Sequence, residues 1–160
     1  LYEFSRDNQF DNEQEPIEWH LVTRDVSPRG EGMLLWNLYG GDLWYTEAIG
    51  NIETIVHYRT DETPCWWPWH DWQECVQECN GPEIPCDGWT SKNAMSLPRR
   101  SLPRPPTFPA TEFGRPRSHG YEFQVWLSVR GKAKIPKGRF VFAAPSEAAA
   151  GTIISNPCPT

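Results

Sequence analysis

The sequence contains no apolar run long enough to cross a membrane. Its longest uncharged apolar stretch is the alanine-rich tract near Ala148 to Ile154, against the roughly 20 residues that a spanning helix needs. No Asn-x-Ser/Thr acceptor for N-glycosylation occurs. The opening Leu1-Tyr2-Glu3 carries neither the charged segment nor the apolar core of a secretory leader, so a leader is expected to have been removed. Cations are scarce at first. Residues 1–90 hold four Lys/Arg against eighteen Asp/Glu, a net of −14. Residues 91–140 reverse this, with eleven Lys/Arg against only Glu112 and Glu122, a net of +9. Such polarity points either to docking between the two segments or to a basic face for a polyanion.

Aromatic residues are plentiful, at 13% of 160 residues with nine Trp. That excludes wholesale disorder, and the length suits one domain with its own core. Five cysteines stand at positions 65, 75, 79, 86 and 158. Four cluster and the fifth lies near the end, a spacing that suits disulfides in a secreted protein. The odd number leaves one thiol over. The expectation is two bonds among Cys65, Cys75, Cys79, Cys86 and Cys158, one of them tying Cys158 to an upstream cysteine. Cys65, His70, Cys75 and Cys79 match no zinc module in their spacing, so no metal is expected.

Along the chain, residues 1–16 are polar and acidic. Residues 17–60 read as a β-meander: Ile17, Trp19, Leu21 and Thr23 alternate with polar neighbours, Gly40-Gly41 signals a hairpin, and Ile52 to Arg59 alternates again. His20 and His57 fall on polar faces and read as solvated. Residues 64–90 form a Cys/Trp-rich region. There Trp69, Trp72, Val76 and Cys79 fall at helical spacing, Pro68 suits a first turn, and Asn80-Gly81-Pro82 is a stop. A helix over 68–80 follows, with Trp66, Trp67, Trp69 and Trp72 mostly in the core. Residues 91–118 are a Pro/Arg-rich loop with SLPR at 96–99 and again at 101–104, which favours extended backbone. Strands are expected at Tyr121–Val129, Gly138–Ala143 and Gly151–Ile154, within a C-terminal β region 119–160. The fold class is α+β, one domain over 1–160, with a single helix packed on an antiparallel β-sheet.

The C-terminal third carries an ordered set of motifs. Ser101-Leu102-Pro103-Arg104 is followed eighteen residues later by Glu122, in Tyr121-Glu122-Phe123. Then come Gly138-Arg139-Phe140-Val141-Phe142 and, sixteen residues after Arg139, Ser155 in Gly151-Thr152-Ile153-Ile154-Ser155, with Cys158 beyond. This region resembles the fungal guanyl-type ribonucleases and sarcin-type ribotoxins. The resemblance implies a ribonuclease-like α+β fold with an extra N-terminal meander. It also implies a site in which Glu122 is the base and Arg139 holds the phosphate. Ser155 stands at the general-acid position and Arg104 where the family's loop has His. A Ser hydroxyl is a poor proton donor, and loss of one acid–base group typically costs 10²–10⁴-fold.

The implied protein is a secreted, ribonuclease-like fungal effector, monomeric and catalytically impaired. It needs no cofactor and has no membrane attachment. Its partner is a host protein, such as an immune receptor or another target, or RNA. Arg99, Arg100, Arg115, Arg117 and His119 are the binding candidates, on an exposed loop near Glu122 and Arg139. Two other readings stand beside it. One is an active secreted endoribonuclease that uses His57 or His119 as acid. The other is a Trp-rich carbohydrate-binding module.

Overall fold

Alternation of side chains governs this chain far beyond the segments where it is obvious in the sequence. The computed structural model describes residues 10–11, 15–28, 35–78, 80–93, 99–106 and 118–143. The described residues are all-β. The strands are β1 (Phe10–Asp11), β2 (Glu15–Pro16), β3 (Glu18–Val22), β4 (Trp36–Thr60), β5 (Thr63–Gln77), β6 (Ser91–Asn93), β7 (Arg99–Leu102), β8 (His119–Gly120) and β9 (Phe123–Ala143). β1 and β2 form a separate pair. The others make one sheet in the order β3-β9-β4-β5-β6, with β7 and β8 also paired to β4. All pairs are antiparallel except β5 with β6.

The spine is a ribbon of β4 and β9, paired from Asn37↔Ala143 to Thr60↔Phe123. In its second half, Ile52, Thr54, Val56, Tyr58 and Thr60 of β4 point inward. Phe123, Val125, Leu127 and Val129 of β9 join them. A flat strand the length of β4 would run roughly 80 Å. Yet Gly120 pairs with Trp36 at one end of β4, and its open side lies against Thr60 at the other end. The ribbon therefore folds back on itself. The register shifts between Trp44 and Glu53 mark the bend, where Glu47, Gly50 and Gly131 take positive φ values of 56°, 74° and 106°. Bulges of this kind turn the corner between packed sheet layers.

The core lies between the two halves. Leu38, Leu43, Tyr45 and Leu102 face Val56, Tyr58, Trp67, Trp69, Phe123 and Leu127. Phe123 meets Phe142 at 4.8 Å between ring centroids, although they stand near opposite ends of β9. Tyr45 Oη donates to Thr54 Oγ1 at 3.0 Å across the bend. Arg100 of β7 pairs with Glu74 of β5 in a half-buried salt bridge between the halves.

Three expectations are corrected. The α+β class with a helix over 68–80 gives way to an all-β fold, because 63–77 is the strand β5. Cys65, Trp67 and Trp69 are buried at a spacing of two. Pro68, which cannot donate to a sheet, stands opposite His57 beside a register shift. The four-strand meander over 17–60 is absent. Gly40-Gly41 makes no hairpin, residues 36–60 are one strand, and β3 pairs with β9 instead. The strands expected at Tyr121–Val129 and Gly138–Ala143 are present from Phe123 onward, but as the two ends of the single β9. A ribonuclease-like α+β fold requires that helix, and the all-β sheet of the described residues is not that fold. The expected strand Gly151–Ile154 lies outside the described residues.

Cys75 and Cys86 form a disulfide across 11 residues of sequence, and Cys65 is also disulfide-bonded. Cys79 and Cys158 lie outside the described residues. In the chain-entropy model a loop of this size contributes about 3 kcal/mol. The Gln77 side chain holds the same loop like a strand partner, donating to the Ile84 carbonyl at 2.8 Å and accepting from the Ile84 amide at 2.8 Å.

Candidate anion-binding site

Leu43 and Tyr45 point into the core, so Asp42 and Trp44, their neighbours in β4, face outward. The register sets Asp42 between Ser101 of β7 and Arg139 of β9, and Trp44 between Arg99 and Lys137. Strands β7 and β9 contain no acidic residue. The result is a cationic outer face around one carboxylate. Gly41 permits the close pairing beside it, since a Cβ there would lie 2.5 Å from the Arg139 carbonyl oxygen.

Asp42 is only 2% exposed although it faces outward, because two guanidiniums close over it. Arg99 Nε donates to Oδ1 at 2.7 Å. Arg139 donates to Oδ2 from Nε at 3.0 Å and from Nη2 at 2.5 Å. The arginine side chains themselves remain 53% and 56% exposed. Arg99 stands 5.7 Å from the Trp44 ring centroid and Lys137 Nζ 4.8 Å from it. At the start of β4, Tyr39 is 52% exposed, and the Arg104 guanidinium lies 5.7 Å from its ring. Cation–π contacts of this kind hold cations at a surface without neutralising them.

Hydrogen bonding from Arg99, with help from Arg139, holds the Asp42 carboxyl below its ordinary value against the opposing effect of burial. The sign of the consequence follows. The folded state binds a proton at Asp42 less readily than the unfolded chain, so this contribution to stability is present above pH 3.8. It is lost as pH falls from there through the folded value. Acid titration of the melting temperature should therefore fall less steeply below pH 3.8 in Asp42→Asn than in the wild type.

The other sequence-derived candidates separate. Arg99, Arg104 and Arg139 come together here. Arg100 points inward to Glu74 and ties the halves of the sheet. His119 pairs with Asn37 in β8 and is half-buried. Glu122 is exposed in a cleft lined by Asp25, Arg59, Thr60, Asp61 and Gln124. Asp61 Oδ1 there accepts from the backbone amides of Tyr121 and Glu122 at 2.9 and 3.2 Å. Gln124, two residues after Glu122, is outward in the half of β9 before the bend at Gly131, whereas Arg139 is outward in the half after it. Glu122 and Arg139 thus stand on opposite outer faces with the core between them. Ser155, Arg115 and Arg117 lie outside the described residues.

Of the tryptophans weighed as a sugar platform, Trp67 and Trp69 are core. Trp72 is half-buried against Tyr45, and Trp66 packs edge-on to Trp126. His20 is exposed as expected, with its ring edge near Trp126, whereas His57 stacks on the same ring at 5.2 Å and is half-buried. Burial lowers the His57 pKa. The zinc set is unavailable, since Cys65 and Cys75 are both in disulfides. Sequence reasoning missed Asp42, Trp44, Lys137 and Tyr39. The signal was present for two of them: Asp42 and Trp44 alternate with Leu43 and Tyr45. No family model matches the chain, and comparison with curated proteins and with solved structures finds no match either.

Proposed function

We propose that this is a secreted binding protein that holds an anionic polymer on the outer face of β4, β7 and β9 and does not cut it. The segregation of charge on that face carries the reading. Arg99, Arg104, Lys137 and Arg139 converge there, and two of them cover the one carboxylate, Asp42. The chain as a whole is acidic, with a net charge of −6, so a polyanion is attracted to this face and repelled elsewhere. Disulfide bonding of Cys65, Cys75 and Cys86 supports an oxidising, secreted setting. The absence of cutting is supported by the placement of Glu122 and Arg139. A base and the group that stabilises the phosphate must converge on one substrate, and these two face away from each other.

The test is fluorescence anisotropy of a labelled single-stranded RNA across a salt series. Four contacts at about 0.7 each predict a slope of about −3 in log K against log salt. The double variant Arg104→Glu, Lys137→Glu spares the Asp42 partners. It should weaken binding by at least about tenfold and make the slope shallower, and the RNA should stay full length throughout. Association that ignores salt would point to a host protein docked through a packed interface instead. Cleavage that disappears in Glu122→Ala would reinstate the enzyme.

A further inference from the structure

Resting on that reading, we infer that the polymer is a single-stranded nucleic acid: a base stacks on Tyr39, phosphates meet Arg99 and Arg139, and Asp42 positions both guanidiniums. Among the described residues, Tyr39 is the only Phe, Tyr or Trp side chain that is exposed. The strand pairing sets Val141, 39% exposed, opposite the adjacent Gly40. Tyr39 and Val141 therefore make an apolar spot at the border of a cationic face, with the Arg104 guanidinium over one side of the ring and the other side left for a base. A single strand offers both things this border can take, a flat base and a phosphate. Base stacking on an aromatic ring contributes between about fivefold and a hundredfold in affinity per base. A duplex keeps its base faces inside its own stack, and a sulfated glycan has no aromatic face. Either would use the cations and leave Tyr39 idle.

Asp42 acts through its neighbours. It is too covered to meet a ligand, but each of its oxygens is taken by a different arginine. One carboxylate thereby fixes the planes of two guanidiniums. Both guanidiniums stay more than half exposed, so their outer edges can also reach phosphate oxygens, in the planar geometry that suits arginine to phosphate. Simple Coulomb attraction makes the opposite forecast about this residue. Removing a negative charge from a polyanion site should tighten binding, whereas loss of a positioning group should weaken it.

The experiment compares the wild type with Tyr39→Ala, Tyr39→Phe and Asp42→Asn. The probes are a uridine oligomer, the same oligomer in a duplex, and a heparin fragment of similar charge. Near-ultraviolet circular dichroism verifies that each variant is folded. The expected result is at least about tenfold preference for the single strand, lost in Tyr39→Ala and retained in Tyr39→Phe. Asp42→Asn should bind the single strand about tenfold more weakly and heparin no more weakly than the wild type. Equal affinity for all three probes, unchanged by Tyr39→Ala, would overturn the single-strand inference and leave the polyanion reading intact. Asp42→Asn binding RNA more tightly would overturn the positioning role. Failure of every polyanion to bind in a salt-dependent way would overturn the underlying reading itself.

Discussion

Replacing Gly131 by alanine is expected to cost about 3 kcal/mol or more, far beyond an ordinary glycine substitution. Gly131 sits in β9 at the bend of the ribbon with φ of 106°, a conformation that any side chain strains. A Cβ there would lie 2.2 Å from the Asn51 carbonyl oxygen on the facing strand. Backbone cannot swing aside as a side-chain tip does, so the pairing of β4 with β9 must open locally. The Gly131 amide also donates to the Ile17 carbonyl at 2.8 Å, which ties the chain just before β3 to the same point. An internal control exists. Gly88 also has a positive φ, 86°, but a Cβ there meets nothing within 4 Å. Gly88→Ala should cost only the conformational strain, about 1 kcal/mol. Urea unfolding of both variants checks this. Equal losses would mean that the close approach at the bend is not felt.

That bend also explains what was legible in the sequence and what was not. The sign of each charge is local information, so the basic segment could be recognised and Arg99 and Arg104 named, while Arg139 was named through the ordered motifs of the ribonuclease resemblance. Their assembly is not local. Asp42 meets Arg99 across 57 positions and Arg139 across 97, and no periodicity encodes such pairings. The burial of alternate residues from Ile52 onward was readable because alternation is itself the strand signal. Gly40-Gly41 misled because two glycines serve a tight turn and a close strand pairing equally well, and here Gly41 makes room for the Arg139 backbone. In 68–80 the spacing of Trp69, Trp72, Val76 and Cys79 mimics a helix only if Cys65 and Trp67 are left out. Their burial at every second position belongs to a strand. The bulge near Pro68 then shifts the phase, which breaks the alternation that a longer count would have found. Glu122 directly precedes β9 and Arg139 lies within it, but the bend between them sends them to opposite faces.

Trp69→Ala is expected to produce the largest loss of stability in the core, about 3–5 kcal/mol. The residue was placed correctly in the core on sequence grounds, though on the wrong element. Trp69 is 2% exposed and bridges the two halves of the folded sheet. Its ring meets Tyr58 of β4 edge-on at 6.1 Å and Phe140 of β9 at 6.0 Å between centroids. Its Nε1 donates to the Pro103 carbonyl at 2.7 Å, just beyond β7. Truncation thus leaves a cavity between the two halves, and it orphans the Pro103 carbonyl as well. For a domain of this size each kcal/mol moves the melting temperature by roughly 2–4 °C, so the loss should appear as a fall on the order of 10 °C. Trp69→Phe separates the two contributions. It keeps most of the apolar volume and removes the donor, and should cost nearer 1–2 kcal/mol. Because Pro103 directly precedes Arg104, the same pair of variants reports on the binding face. Loosening that carbonyl should reduce RNA affinity in Trp69→Phe at temperatures where the protein is still folded. RNA affinity identical to the wild type, together with a melting point within about 2 °C of it for Trp69→Ala, would show that Trp69 does not join the two halves.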